Sequence, residues 1–92
     1  MLNSFEMQVD EIFNFDNSDT VICGSIDATD LFIQKGQYEL LCAGEKIGTV
    51  AIEGERGGGR RQNTRSITLK PPLPANLQTL KNRRVLFNPV EN

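Results

Sequence analysis

The feature that most constrains this chain is the alternation of apolar and polar side chains in its first segment. The apolar row comprises Phe5, Met7, Val9, Phe13 and Phe15. A period of two predicts a β-strand with one buried face and one face in water. Glu11 interrupts the apolar row and Ile12 interrupts the polar row between its members. This double interruption predicts a β-bulge in the strand.

The rest of the chain repeats this pattern of short strands. Further strands are predicted at 20–26, 38–42, 47–53, 64–69 and 84–87, separated by residues typical of turns. The proline-rich residues 71–74 predict an extended connector, and residues 75–81 predict one helical turn. No long stretch has a helical period. We therefore expect one all-β domain over residues 1–92, a small closed or partly open antiparallel β-barrel of about six strands.

Two glycines and two cysteines refine this expectation. Gly24 predicts a bulge or a close backbone approach, and Gly44 supplies a positive φ angle for a hairpin turn. Cys23 and Cys42 lie in apolar runs, which favours reduced thiols packed in the core over a redox pair or half of a metal site. We expect these two cysteines to share one core with Phe5, Met7, Val9, Phe13, Val21, Leu40, Val50 and Ile52.

Residues 54–63 contain no apolar side chain and include three consecutive glycines. We expect a solvent-exposed loop that is the most mobile internal segment, because nothing in it can offset the entropy of ordering it. The segment is not a nucleotide-binding loop. Such a loop ends in Gly-Lys-Ser or Gly-Lys-Thr and opens a helix, whereas Arg60 and Arg61 here lead into a β-branched strand.

Charge is unevenly divided along the chain. Residues 1–53 hold ten acids and two lysines, a formal charge of −8, whereas residues 54–92 hold eight bases and two acids, or +6. Such a division predicts an anionic partner for the basic half. The alternative is that the two halves intertwine in the fold and neutralise each other.

Catalysis is not expected from this composition. The chain has no histidine, so the usual general base and the usual activator of a serine or cysteine nucleophile are missing. We therefore expect neither an enzyme nor a cofactor or metal site. No apolar run reaches the roughly 20 residues of a membrane helix, and the first residues do not resemble a signal peptide, which predicts a cytoplasmic protein.

The order of the strand motifs resembles the second domain of translational GTPases such as elongation factor Tu. The resemblance covers about residues 5–53 and rests on the first strand, on Thr-Val-Ile-Cys-Gly-Ser-Ile at 20–26, on Gly36, and on Thr-Val-Ala-Ile-Glu at 49–53. It implies a six-stranded closed barrel that contacts the aminoacylated end of tRNA or the ribosome, with Glu53 matching an acidic residue of the family. Gln37 departs from the usual Asp, residues 54–63 and 71–74 do not match, and no GTPase domain is attached.

These observations predict a non-catalytic binding or adaptor domain whose partner is RNA or a ribonucleoprotein. The candidate nucleic-acid-binding residues are Arg56, Arg60, Arg61, Arg65, Lys81, Arg83 and Arg84, because the arginine fork suits phosphate and glycine allows close approach. Base stacking is not expected, since most phenylalanines fall in or near the first three strands. The alternatives are a solvated hairpin tip without a ligand, a protein-interaction module that docks its acidic face 6–30 on a basic partner, and two copies paired head to tail. The oligomeric state is left open.

Overall fold

A computed structural model describes residues 4–15, 19–26, 32–55 and 64–90 of the chain. Within these residues the elements are β1 (Phe5–Asn14), β2 (Thr20–Ile26), β3 (Gly36–Cys42), β4 (Glu45–Glu55), β5 (Thr64–Lys70), a 3₁₀ turn (Leu77–Leu80) and β6 (Arg84–Pro89). Every strand pair is antiparallel, and the order β1-β2-β5-β4-β3-β6 closes into a ring because β6 pairs with β1. The predicted all-β fold of six antiparallel strands is confirmed.

The interior of the ring holds the apolar core, built from alternate residues of all six strands. Phe5 stacks on Phe87 with ring centroids 4.6 Å apart and meets the edge of Tyr38 at 5.8 Å. The Tyr38 hydroxyl donates a hydrogen bond to the Gln34 carbonyl over 2.8 Å, and burial raises the pKa of this phenol. Burying three aromatic rings in one cluster gives a small domain much of its stability.

The predicted bulge in β1 is confirmed, and it reverses the direction of the side chains that follow it. The pairing with β2 shifts register between Val9 and Glu11, so Asp10 has no partner in β2. Val9 points inward before the bulge and Ile12 points inward after it. Phe13 therefore points outward and is 46% exposed. Its predicted place in the core is wrong because one inserted residue inverts the alternation.

Val21 and Cys23 follow Phe13 to the outer surface. Val21 pairs directly with Phe13 and is 4% exposed, so its predicted burial is confirmed, although it is not part of the interior cluster. Cys23 has the same parity and is only half-buried, with its sulfur 3.2 Å from the Ser66 hydroxyl. Cys42 is buried in the core as predicted, and both thiols are free.

Gly24 makes the predicted close approach between strands. A Cβ atom at this position would lie 2.7 Å from Met7 Cγ and would collide with the carbonyl oxygen of Gln8. Glycine is therefore required where β2 pairs with β1 opposite Val9.

The β3–β4 hairpin closes on two residues, and both have positive φ angles. Ala43 has a φ of 54° and Gly44 has a φ of 82°, as a type I′ turn requires, so the expected positive φ at Gly44 is confirmed. The two strands are longer than predicted, since pairing already begins between Gly36 and Ile52. The β4 strand also continues to Glu55, so the expected start of an exposed loop at residue 54 is wrong by two residues.

The connection from β5 to β6 follows the predicted plan. Residues 71–74 form no strand, and the single helical turn predicted within 75–81 is the 3₁₀ turn, which places Leu77 and Leu80 in the core. The helical content of the described chain is this one turn, and it includes no helix of the length and apolar character needed to cross a membrane.

Candidate nucleic-acid interface

Four outward-facing residues form one row across four neighbouring strands. Gln8 pairs with Arg84 on one side and with Ser25 on the other, and Ser25 pairs with Thr64. Three strand spacings of about 4.8 Å make the row roughly 14 Å wide. Arg84 and Thr64 are exposed, while Gln8 and Ser25 are half-buried. We call these four residues the polar row. Gln8 and Ser25, at its centre, are uncharged. Their side chains are small or slender, so a polymer can lie across the row.

Three cations stand at the β6 end of the polar row. Lys81 and Arg83 precede β6 and Arg84 begins it, and all three are exposed. The Nζ of Lys81 lies 3.3 Å from a Glu11 carboxylate oxygen, and the Nε of Arg84 donates to Glu6 over 3.1 Å. Among the residues that the structure describes, Arg83 has no ion-pair partner. The structure therefore brings these three predicted residues together on the surface.

The opposite end of the polar row leads toward the remaining predicted arginines. Thr64 opens β5, and residues 56–63 join it to the end of β4. Arg56, Arg60 and Arg61 lie outside the described residues, as does most of the predicted mobile loop.

Arg65 does not join this surface, so its expected place on one exposed face with the other arginines is wrong. Its side chain points into the end of the ring and is 6% exposed. Its Nη1 donates to both carboxylate oxygens of Glu55, at 3.1 and 3.3 Å. Oε2 of Glu55 also accepts a hydrogen bond from the backbone N–H of Ile33 over 3.1 Å. The pair therefore links the end of β4 to the start of β5, and Glu55 also links both to the residues that precede β3.

Phe32 is a residue that the sequence reasoning missed. It is 75% exposed, and the backbone N–H of the neighbouring Ile33 donates a hydrogen bond to Glu55. Phe32 lies before β3 and not within it, so no strand alternation directs its side chain into the core.

The division of charge along the sequence is partly neutralised in the described part of the fold. Lys81–Glu11, Arg84–Glu6 and Lys70–Glu53 each join a base of the second half to an acid of the first half. The alternative that the two halves intertwine is therefore confirmed for the described part of the chain. Glu53, the residue suggested by the resemblance, lies at the β4 bulge and is half-exposed beside Lys70 at 3.8 Å.

The described ranges contain no group of three or more Cys, Asp and Glu side chains that could hold a metal ion. Comparison of the chain with models of protein families, with curated proteins and with solved structures finds no match. The resemblance to the second domain of translational GTPases stays a prediction. What this surface can do must therefore be judged from its own geometry and charge.

Proposed function

We propose that this chain is a non-catalytic adaptor domain that binds single-stranded RNA, free or within a ribonucleoprotein, across the polar row. The observation that carries the proposal is the register Arg84–Gln8–Ser25–Thr64, which continues an uncharged row on the outer surface from the exposed cations at the start of β6. A strand of RNA lying along the row would meet these cations at the β6 end and polar side chains beyond them.

The ion pairs on this surface do not prevent phosphate from binding to their cations. Exposed pairs of this kind contribute about 0–1 kcal/mol, because water already solvates both partners. Glu6, Glu11, Lys81 and Arg84 are all about half-exposed. A phosphate can therefore replace a carboxylate at small cost, and Arg83 has no such partner to lose among the described residues.

Phe32 supplies an exposed aromatic ring for base stacking, which the sequence did not predict. Base stacking on an exposed aromatic ring contributes about 1–3 kcal/mol per base and tolerates any sequence. The ring is largely exposed, and the next residue, Ile33, is hydrogen-bonded through its backbone to Glu55, the residue that precedes Arg56 in the sequence. Binding that combines phosphate contacts with one stacked base is expected to depend strongly on salt and weakly on sequence.

The proposal is tested by placing a charge at the centre of the row. Ser25→Asp should weaken binding of a fluorescein-labelled 20-nucleotide oligouridine, and Ser25→Lys should strengthen it, each by about fivefold at low salt. Thr49→Asp and Thr49→Lys are the matched controls, because Thr49 is an exposed residue of β4 on the opposite side of the ring. Fluorescence anisotropy gives the affinities, and thermal unfolding confirms that each variant is folded.

The arginine segment is tested by the slope of affinity against salt concentration. Replacing Arg60 and Arg61 by Ala should reduce this slope by about 1.4, because each phosphate contact on a single strand contributes roughly 0.7. Lys46→Ala is the control, since Lys46 is an exposed cation of β4 paired with Glu39. Absence of oligouridine binding by the wild type at low salt, or equal effects at positions 25 and 49, would exclude this function.

A further inference from the structure

The three neutral residues of the polar row form a continuous strip of side chains that can make hydrogen bonds. Gln8 of β1 lies directly opposite Ser25 of β2, and Ser25 lies directly opposite Thr64 of β5. Residues that face each other in this way have Cβ atoms about 5 Å apart, so the strip is about 10 Å long. It begins next to Arg84, the partner of Gln8 in β6.

These three side chains are not used by the fold. Within residues 4–15, 19–26, 32–55 and 64–90, none of the side-chain hydrogen bonds involves Gln8, Ser25 or Thr64. Gln8 and Ser25 are half-buried, and Thr64 is exposed. Their amide and hydroxyl groups can therefore bind a ligand without breaking a contact that holds the ring together.

The chemistry of the strip differs from that of a phosphate site. Each of its side chains both donates and accepts hydrogen bonds, since a hydroxyl and a carboxamide carry both functions. Phosphate oxygens only accept, and cations bind them more strongly than neutral groups do. The part of RNA that donates and accepts through one group is the ribose 2′-hydroxyl, which DNA lacks.

We propose that Gln8, Ser25 and Thr64 bind ribose 2′-hydroxyl groups, so that the domain selects RNA over single-stranded DNA. The inference rests on the proposed function and adds the feature of the strand that the polar row recognises. Lys81, Arg83 and Arg84 contact phosphates, which RNA and DNA share, whereas the neutral strip contacts the sugar, in which they differ. Each neutral hydrogen bond gained in this way should raise the affinity about two- to tenfold.

This division of roles predicts how the selection depends on salt. Binding to either strand should weaken as salt is added, because the same cations release the same counterions from both. The ratio of the two affinities should stay constant, because the contacts that create it are uncharged. A constant ratio on two falling curves therefore distinguishes recognition of the sugar from a difference in phosphate contacts.

The experiment compares fluorescein-labelled 20-nucleotide oligouridine with oligodeoxyuridine of the same length by fluorescence anisotropy at several salt concentrations. The wild type should bind oligouridine about tenfold more tightly, as two net hydrogen bonds would give. The combined variant Gln8→Leu, Ser25→Ala and Thr64→Val should bring the two affinities within about twofold, by weakening the binding of oligouridine alone. Thr49→Val is the matched control and should leave the ratio unchanged, because Thr49 is an exposed residue of β4.

The outcomes separate this inference from the proposed function. Equal binding of the two oligomers by the wild type, or an equal loss of the ratio in the Thr49 variant, would overturn the inference and leave RNA binding in place. Absence of binding to both oligomers would exclude the proposed function and this inference with it. If circular dichroism shows that the combined variant is unfolded, Ser25→Ala alone should lower the ratio about threefold, and an unchanged ratio would overturn the inference.

Discussion

Register shifts interrupt the strand ladders of the described chain at three places, and two of these bulges, at Asp10 in β1 and at Glu53 in β4, have opposite consequences. In β1 the register shifts between Val9 and Glu11, and an aromatic side chain, Phe13, moves to the outside. In β4 it shifts between Ile52 and Gly54, and the carboxylate of Glu55 turns inward, where it meets Arg65. One bulge exposes an apolar group and the other buries a charged one. Both displacements come from the insertion of a single residue into a strand.

The two bulges also differ in what their displaced residues do for stability. Glu55 and Arg65 are bonded to each other, and Glu55 also to the backbone at Ile33, so the inward turn adds fixed contacts at one end of the ring. Phe13 covers Val21 on one side and is open to water on the other. Breaking the buried charged pair should therefore lower the free energy of unfolding strongly. Removing the exposed aromatic ring should lower it only slightly.

The largest effect is expected for the charged pair. Arg65→Ala should lower the free energy of unfolding by about 3–5 kcal/mol, because it leaves a carboxylate largely buried without its counter-ion. Urea denaturation followed by circular dichroism measures this change. The paired variant Arg65→Met with Glu55→Leu should recover most of the loss, since a buried pair can be replaced by apolar side chains at little cost. If Arg65→Ala lowers the free energy of unfolding by less than about 1 kcal/mol, the pair does not stabilise the fold.

A smaller effect is expected on removing the β1 bulge itself. Deletion of Asp10 should preserve every inward and outward position of β1, because Val9 and Glu11 already pair with the adjacent residues Gly24 and Cys23. We expect a loss of about 1 kcal/mol, from the local twist that the bulge provides. Deletion of Gln8 is the contrasting variant, since it shifts the residues before it by one position and turns Met7 outward. Equal stability of the two deletion variants would contradict the register described here.

The smallest effect is expected for the exposed ring. Phe13→Ala should lower the free energy of unfolding by less than about 1 kcal/mol, whereas Phe87→Ala should cost about 3–5 kcal/mol, because Phe87 is fully enclosed in the ring. Thermal or urea unfolding of the two variants side by side gives the comparison. If both cost the same, Phe13 packs in the interior and the inversion of side-chain direction after the β1 bulge is wrong.

Much of the fold follows from local features of the sequence. The period of two in residues 5–15, the turn at Gly44, the close approach at Gly24 and the single helical turn before β6 are all recognisable without a partner strand. The reason is that strand alternation, positive φ angles and breaks at proline depend on a few neighbouring residues. Even the β1 bulge is visible, because Glu11 and Ile12 interrupt both rows at once.

The candidate site is less accessible to such reasoning. The sequence indicates a group of cations, and the structure does bring Lys81, Arg83 and Arg84 together at the surface. The sequence does not indicate that Arg65 is buried instead of lying with these cations. Its partner, Glu55, faces inward only because of the register shift in β4. Nor does it indicate that Phe32 is exposed, since an apolar triplet before a strand is equally compatible with burial.

What the sequence by itself determined is the kind of structure: an all-β chain of short strands, its turns, and the residue types available at its surface. What only the tertiary structure decided is which side of the sheet a residue occupies after each bulge, and which residues meet across strands. Arg84, Gln8, Ser25 and Thr64 are far apart in the sequence and form one row only when four strands are in register. The physical reason is that side-chain direction alternates locally, whereas register is set by the packing of the whole ring.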